Sequence, residues 1–287
     1  FWTQVIDINL PEMVTFERPN GGEAALQQAA NLLSTAKNPV ILNGAGVILA
    51  NGIPESVRLA ERLDAPVCVG YQHNDAFPGS HPLFAGPLGY NGSKAGMELI
   101  SQADVVLCLG TRLNPFSTLP GYGIDYWPKD AKIIQVDINP DRIGLTKKVT
   151  VGIVGDAKNV AATLFNKLST TAGDSGRAER KAVIAQTKSV WAQQLSGMDH
   201  EDDDPGTTWN QRARTDKPDW LSPRMAWRAI QSALPKDVII SSDIGNNCAI
   251  GNAYPSFDSG RKYLAPSLFG PCGYGLPSIV GAKIGCP

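Results

Sequence analysis

The chain has 287 residues, 43% of them apolar and 18% charged, with a formal net charge of −1. That length and apolar share allow one large domain or a medium domain with part of another, and the near balance of charge argues against nucleic acid or an anionic membrane as a partner. No apolar run reaches the roughly 18 residues of a membrane span, and the cysteines Cys68, Cys108, Cys248, Cys272 and Cys286 are scattered without C-x-x-C spacing, which speaks against a disulfide framework or zinc site and for a soluble, cytoplasmic protein.

The chain opens without Met on "FWTQVIDINLPEMVTFERP", so residues 1–18 read as an extended, proline-interrupted linker leaving an earlier domain. Strands are predicted at 39–44, 65–70, 103–110 and 131–138, where short β-branched runs are apolar throughout, as in strands buried on both faces. Helical patterns lie between and around them: "GEAALQQAANLLSTA", "ESVRLAERL", "AGMELISQ" and "DAKNVAATLFNKL". Residues 19–170 therefore read as one doubly wound, Rossmann-like α/β domain with a mainly parallel sheet.

From 171 to 222 the pattern changes to a surface helix, "AERKAVIAQTKSVWAQQL", and a charged linker whose acidic run Glu201–Asp204 reads as a solvated face rather than a cation site. A new helix then begins at Pro223, with Ser222 as N-cap, and is followed by a buried strand in "KDVIISSDIG". Residues 223–287 are the start of a second α/β domain.

Ligands of such sheets gather at the carboxyl ends of strands. Gly44 and Gly46 after the first strand could bring backbone close to a phosphate, Gly110, Thr111 and Arg112 follow the third predicted strand, and Asp137 stands where a ribose hydroxyl is often held. Together they suggest a nucleotide crevice, although Leu49 occupies the place of the last glycine of a dinucleotide fingerprint, and plain strand-end turns are the alternative. The loop 70–92 is long and rich in Gly, Pro and aromatic residues, more than a connector requires. Its His73 and His81 have no metal-type partners in sequence and read as structural. No nucleophile elbow is present, and Cys272 has no evident His partner.

The series "NPVILNGAG", "GPLGYNGSKA", "LGTRL", "IIQVDINPDRIG", "VGDAKNV", "SSDIGNN" and "FGPCGYGLPSIVGAKIGCP" resembles the central domain and the start of the carboxyl-terminal domain of thiamine diphosphate enzymes of the acetolactate synthase group, over nearly the whole chain. The strings "YQHNDAFPGSHP", "NPFSTLPGYGIDYWPKD", "MDHEDDDPGT" and "DIGNNCAIGNAYPSF" narrow the resemblance to a branch that converts sulfoacetaldehyde and phosphate to acetyl phosphate and sulfite. The resemblance implies thiamine diphosphate and Mg²⁺ as cofactors. It places Gly270 and Cys272 against the aminopyrimidine ring, with Gly273 allowing close approach, and Gly245, Asn246 and Asn247 at the diphosphate. Cys272 departs from the Met common at that position, though a soft sulfur side chain can fill the place.

By the same resemblance the metal ligands would follow Pro287 and the catalytic glutamate would precede Phe1, so no catalytic or metal-binding residue is expected here. The polypeptide is expected to be a fragment, inactive alone, of a homodimeric or homotetrameric parent. Relatives use the central crevice for FAD, for ADP or for nothing. Phe116 stands where acetolactate synthases carry a second arginine for a carboxylate substrate, which favours the sulfonate branch. Acetolactate synthesis, a nucleotide-binding Rossmann module without catalysis, and a scaffolding module remain the alternatives.

Overall fold

The four predicted strand segments become the four central strands of one sheet. They are β1 (Pro39–Asn43), β2 (Val67–Val69), β4 (Val105–Leu109) and β5 (Lys132–Asp137), all but the last fully buried along their length. Two further strands sit at the edges, β3 (Phe84–Pro87) and β6 (Val151–Val154), and the order is β3-β2-β1-β4-β5-β6 with every pairing parallel. The α/β, mainly parallel expectation is met. The computed structural model describes residues 12, 16–169, 176–200, 223–266 and 269–286. Ser222 and the acidic run 201–204 lie outside the described residues.

The edge strands escaped the sequence reading for a physical reason. In β3, "FAGP" combines Gly and Pro, which is tolerated because the strand has a neighbour on one side alone. In β6, buried and exposed residues alternate, so no continuous apolar run marks it.

The helices are α1 (Glu23–Thr35), the single turn α2 (Ala45–Leu49), α3 (Ile53–Leu63), α4 (Lys94–Ser101), α5 (Ala157–Lys167) and α6 (Arg177–His200). α1 buries Leu26, Ala29, Ala30 and Leu33, the spacing of one helical face. It packs against α5, which in turn packs against α3, while α4 and α6 pack together. α5 is capped by Asp156, whose carboxylate accepts from Lys158 N and Asn159 N and also pairs with Arg18 at 2.9 Å.

Instead of lying loosely on the surface, α6 is anchored along its length. Arg180 is buried and donates to the carbonyl oxygens of Lys37 and Leu63 at 2.6 and 2.8 Å. Arg177 and Lys181 pair with Asp64 at 2.7 and 3.1 Å, and Ile184 joins the apolar core. Lys188 reaches the carbonyl of Pro82, and Trp191 meets Tyr122 edge to face. Asp64 ends α3 in the left-handed conformation, which directs the carbonyls of Leu63 and Asp64 toward Arg180.

After position 222 the elements are slighter: α7 (Pro223–Ala233), β7 (Ile240–Ser241), α8 (Asn246–Ala253), β8 (Tyr263–Leu264) and α9 (Gly275–Gly285). The strand expected in "KDVIISSDIG" is two residues long and half-buried, in contrast to the long buried strand that was predicted. Among the described residues it pairs with β8 alone, and α9 packs against both strands.

Candidate functional site

The sheet order changes direction between β1 and β4, and a cleft of about 890 Å³ opens there at the carboxyl ends of the strands. Gly46, Gly110, Thr111, Arg112 and Asp137 line it, together with Arg18, His73, Asn114, Asn139 and Arg142, whereas Gly44 does not. The phosphate cradle expected at Gly44 and Gly46 is filled by protein. A Cβ on Gly44 would lie 2.5 Å from Gly110 O, and one on Gly46 would lie 2.6 Å from Gly110 Cα. The amide of Gly46 donates to Gly110 O at 2.9 Å and that of Val47 to Gly44 O at 3.1 Å. These glycines let two turns interlock, Gly110 doing so at a φ of +62°. The polar groups facing the cleft are side chains: Arg112, Arg142 and Asp137, whose Oδ1 accepts from Asn139 N at 2.9 Å.

His73 belongs to this wall. Burial, and then the nearby Arg112 guanidinium, hold its pKa down to about 4, so the imidazole is neutral at physiological pH. His81 is structural: its Nδ1 accepts from Leu83 N at 3.1 Å and its Nε2 lies 3.4 Å from Glu61.

The residues around His73 turn the other way and bind the second unit. Tyr71 and Gln72 both hydrogen-bond the Cys248 thiol, and Gln72 N donates to Asn252 Oδ1 at 2.8 Å. The Asn74 amide donates to the carbonyls of Gly251, Asn252 and Pro255, closing the carboxyl end of α8. Asp75 Oδ2 accepts from Lys262 N and Tyr263 N, while burial raises its pKa. Sequence reasoning flagged the loop but not these roles. They are side-chain contacts across more than 170 residues, which no local pattern encodes.

At the far end of α8 the predicted cofactor residues form two neighbouring turns. Gly245, at a φ of +92° with open space where a Cβ would be, precedes α8, whose first residues Asn246 and Asn247 are exposed. Gly270 and Gly273 have φ of +58° and +84°, and Cys272 between them is exposed. The two turns touch: a Cβ on Gly270 would lie 2.9 Å from Ile244 Cδ1, and Gly273 N donates to Asp243 Oδ1 at 3.1 Å. Exposed backbone beside amide-bearing side chains at a helix start can take a phosphoryl oxygen. Among the described residues there is no group of three or more His, Cys, Asp or Glu that could hold a metal ion, and no helix long and apolar enough to cross a membrane.

The switch-point cleft and paired glycine turns occur in a chain whose residues 26–164 match the family "Thiamine pyrophosphate enzyme, central domain". Over all of its 287 residues it is 81% identical to the sulfoacetaldehyde acetyltransferase of Roseovarius nubinhibens, covering 48% of that protein. It is 48% identical to the sulfoacetaldehyde acetyltransferase of Alcaligenes xylosoxydans xylosoxydans, with 98% of the chain and 48% of the relative aligned. A probable acetolactate synthase large subunit of Methanocaldococcus jannaschii is 32% identical over 93% of the chain and 42% of its own length. The chain spans about half the length of these curated relatives.

Proposed function

We propose that the chain supplies the central domain and the first cofactor-binding elements of a cytoplasmic sulfoacetaldehyde acetyltransferase, an enzyme of sulfonate metabolism such as taurine degradation, assembled as a homodimer or homotetramer. The observation that carries this reading is 81% identity over the entire chain to a relative of that name, against 32% to an acetolactate synthase relative. Sulfoacetaldehyde and phosphate are the substrates, and acetyl phosphate and sulfite the products. Thiamine diphosphate, with Mg²⁺, would supply the electron-sink chemistry for cleavage of the carbon–sulfur bond, held through Gly245–Asn247 and Gly270–Gly273.

This chain's residues bind and orient. Gly245, Asn246 and Asn247 take the diphosphate at the start of α8, where backbone amides and the helix dipole favour negative charge. The turn Gly270–Gly273 receives the aminopyrimidine ring: Gly270 offers its carbonyl, Cys272 its N–H and a soft side chain to prop the ring. Phe116, stacked on Tyr71 with ring centroids 5.6 Å apart, offers no cation to a substrate carboxylate.

The test is a hybrid in which residues 1–287 replace the matching half of the Roseovarius relative. Supplied with thiamine diphosphate, Mg²⁺, sulfoacetaldehyde and phosphate, it should release sulfite and form acetyl phosphate. Acetolactate from pyruvate without sulfite release would overturn the reading in favour of the synthase branch.

A second, separate reading concerns the central cleft. Its position at the switch point and the side chains of Arg112, Arg142 and Asp137 support an adenine nucleotide, FAD or ADP, held by guanidinium groups and a carboxylate rather than by the filled turn at Gly44 and Gly46. Calorimetry with ADP and with FAD tests it, and silence with both removes it.

A further inference from the structure

Asp243 leads from β7 into the Gly245 turn, and its carboxylate accepts three backbone N–H groups. Ile244 N and Gly273 N donate to Oδ1 at 2.8 and 3.1 Å, and Gly275 N donates to Oδ2 at 2.8 Å. Two of these donors belong to the other turn, 30 and 32 residues further along the chain. The fit is close: a Cβ on Gly275 would lie 3.2 Å from Asp243 Oδ2 and 3.3 Å from Asp243 N. Neighbouring residues reinforce the same seam. Ile244 lies beneath Gly270, and Ser241 shares a 2.6 Å hydrogen bond with Ser278 on α9. Residues 241–244 thus act as the template on which Gly270–Gly275 is laid.

We propose that Asp243 is a positioning residue for the cofactor, fixing the distance between the diphosphate-facing turn at Gly245–Asn247 and the ring-facing turn at Gly270–Gly273; this rests on the thiamine diphosphate reading above. A cofactor with a ring at one end and a diphosphate at the other spans both turns, so its affinity depends on their separation as well as on each turn's own contacts. Only an ionised carboxylate serves this geometry. It is acceptor-only, with two oxygens and room for several donors. The amides of Gly275 and Ile244, with that of Gly273, hold the Asp243 pKa below the ordinary aspartate range, so the ionised form is the one present at neutral pH. The carboxylate also faces the first turn of α9, where the helix dipole favours a negative charge.

Asp243→Asn and Asp243→Ala separate the possibilities. Asn keeps one acceptor oxygen, able to hold Ile244 N and Gly273 N but not Gly275 N, whereas Ala keeps none. Amide hydrogen exchange on the full chain should therefore quicken about tenfold at Gly275 in the Asn variant, and at both Gly273 and Gly275 in the Ala variant. In the hybrid with the Roseovarius half and with Mg²⁺ present, thiamine diphosphate should bind about tenfold more weakly to either variant, while inorganic pyrophosphate, which needs the Gly245–Asn247 turn and not the ring-facing one, should change less than about twofold. Unchanged exchange at both glycines overturns the clamp. Quickened exchange with unaltered thiamine diphosphate binding overturns the positioning role. If thiamine diphosphate protects neither turn in the unsubstituted hybrid, the cofactor reading fails and the role with it, while the exchange result still reports on the clamp itself.

Discussion

The guanidinium of Arg180, on α6, donates at 2.8 Å to the carbonyl oxygen of Leu63, the last residue of α3. The same side chain reaches Lys37 O, beyond the end of α1, so one arginine ties the segment after α1 to the end of α3. Arg180→Met keeps most of the apolar stem and removes the donors. It should lower the unfolding free energy by about 3 kcal/mol, read from the urea midpoint at constant slope. Arg180→Lys should recover part of the loss, because a single ammonium cannot span both helix ends.

Gly110 tests the interlocked turns. Alanine there meets both a left-handed backbone and a Cβ 2.7 Å from Gly46 Cα. Gly123 is also left-handed, with φ +73°, but nothing lies within 4 Å of a Cβ. Gly123→Ala should therefore cost about 1 kcal/mol from conformation alone, and Gly110→Ala about 3 kcal/mol or more, because backbone must move. Equal costs by thermal or urea unfolding would mean that the turns are not in contact.

His73 predicts a pH dependence of definite sign. Its folded pKa of about 4 lies below the ordinary histidine value, so between about pH 6.5 and 4 the unfolded chain binds more protons than the folded one. Stability should be full above that window and fall as pH drops through it, and His73→Gln should flatten this part of the curve. An anion placed against Arg112 would offset the guanidinium and raise the His73 pKa, so the histidine's NMR titration with and without ADP also reports on the cleft.

The sequence was most readable where one force dominates. In β1, β2, β4 and β5 burial on both faces produces unbroken apolar runs, and these strands stood out; β3 and β6, at the edges, carry weaker patterns and did not. Gly44, Gly46 and Gly110 were legible as turns, but their partner was not, since a glycine that meets a phosphate and one that meets another glycine look alike in one dimension. Asn74, Asp75 and Asp243 were silent because hydrogen bonds to distant backbone impose no periodicity. The anchoring of α6 was equally hidden: "AERKAVIAQTKSVWAQQL" reads as a surface helix, because Asp64 and the Leu63 carbonyl that Arg177, Arg180 and Lys181 meet lie far back in the chain.

On α9, Leu276, Val280 and Ile284 recur every fourth residue and are 74%, 50% and 78% exposed. An apolar stripe of this kind favours self-association. Sedimentation of the chain should show concentration-dependent association that Leu276→Glu with Ile284→Glu suppresses, with the thermal midpoint of the six-stranded sheet unchanged. Association that survives both substitutions would place the contact elsewhere.

The divided orientation of residues 71–75 bears on how such proteins can be recombined. Tyr71, Gln72, Asn74 and Asp75 are fitted to α8 and β8, while His73 is fitted to the cleft, so five consecutive positions are under two sets of demands at once. A chimera joined anywhere between 92 and 239 inherits the pentapeptide from one parent and its partners at 248–263 from the other, with each mismatch leaving a buried amide or carboxylate without its match. Segment exchange between distant relatives should succeed when 71–75 travels with 248–263 and fail when they are parted, however well the junction itself is chosen.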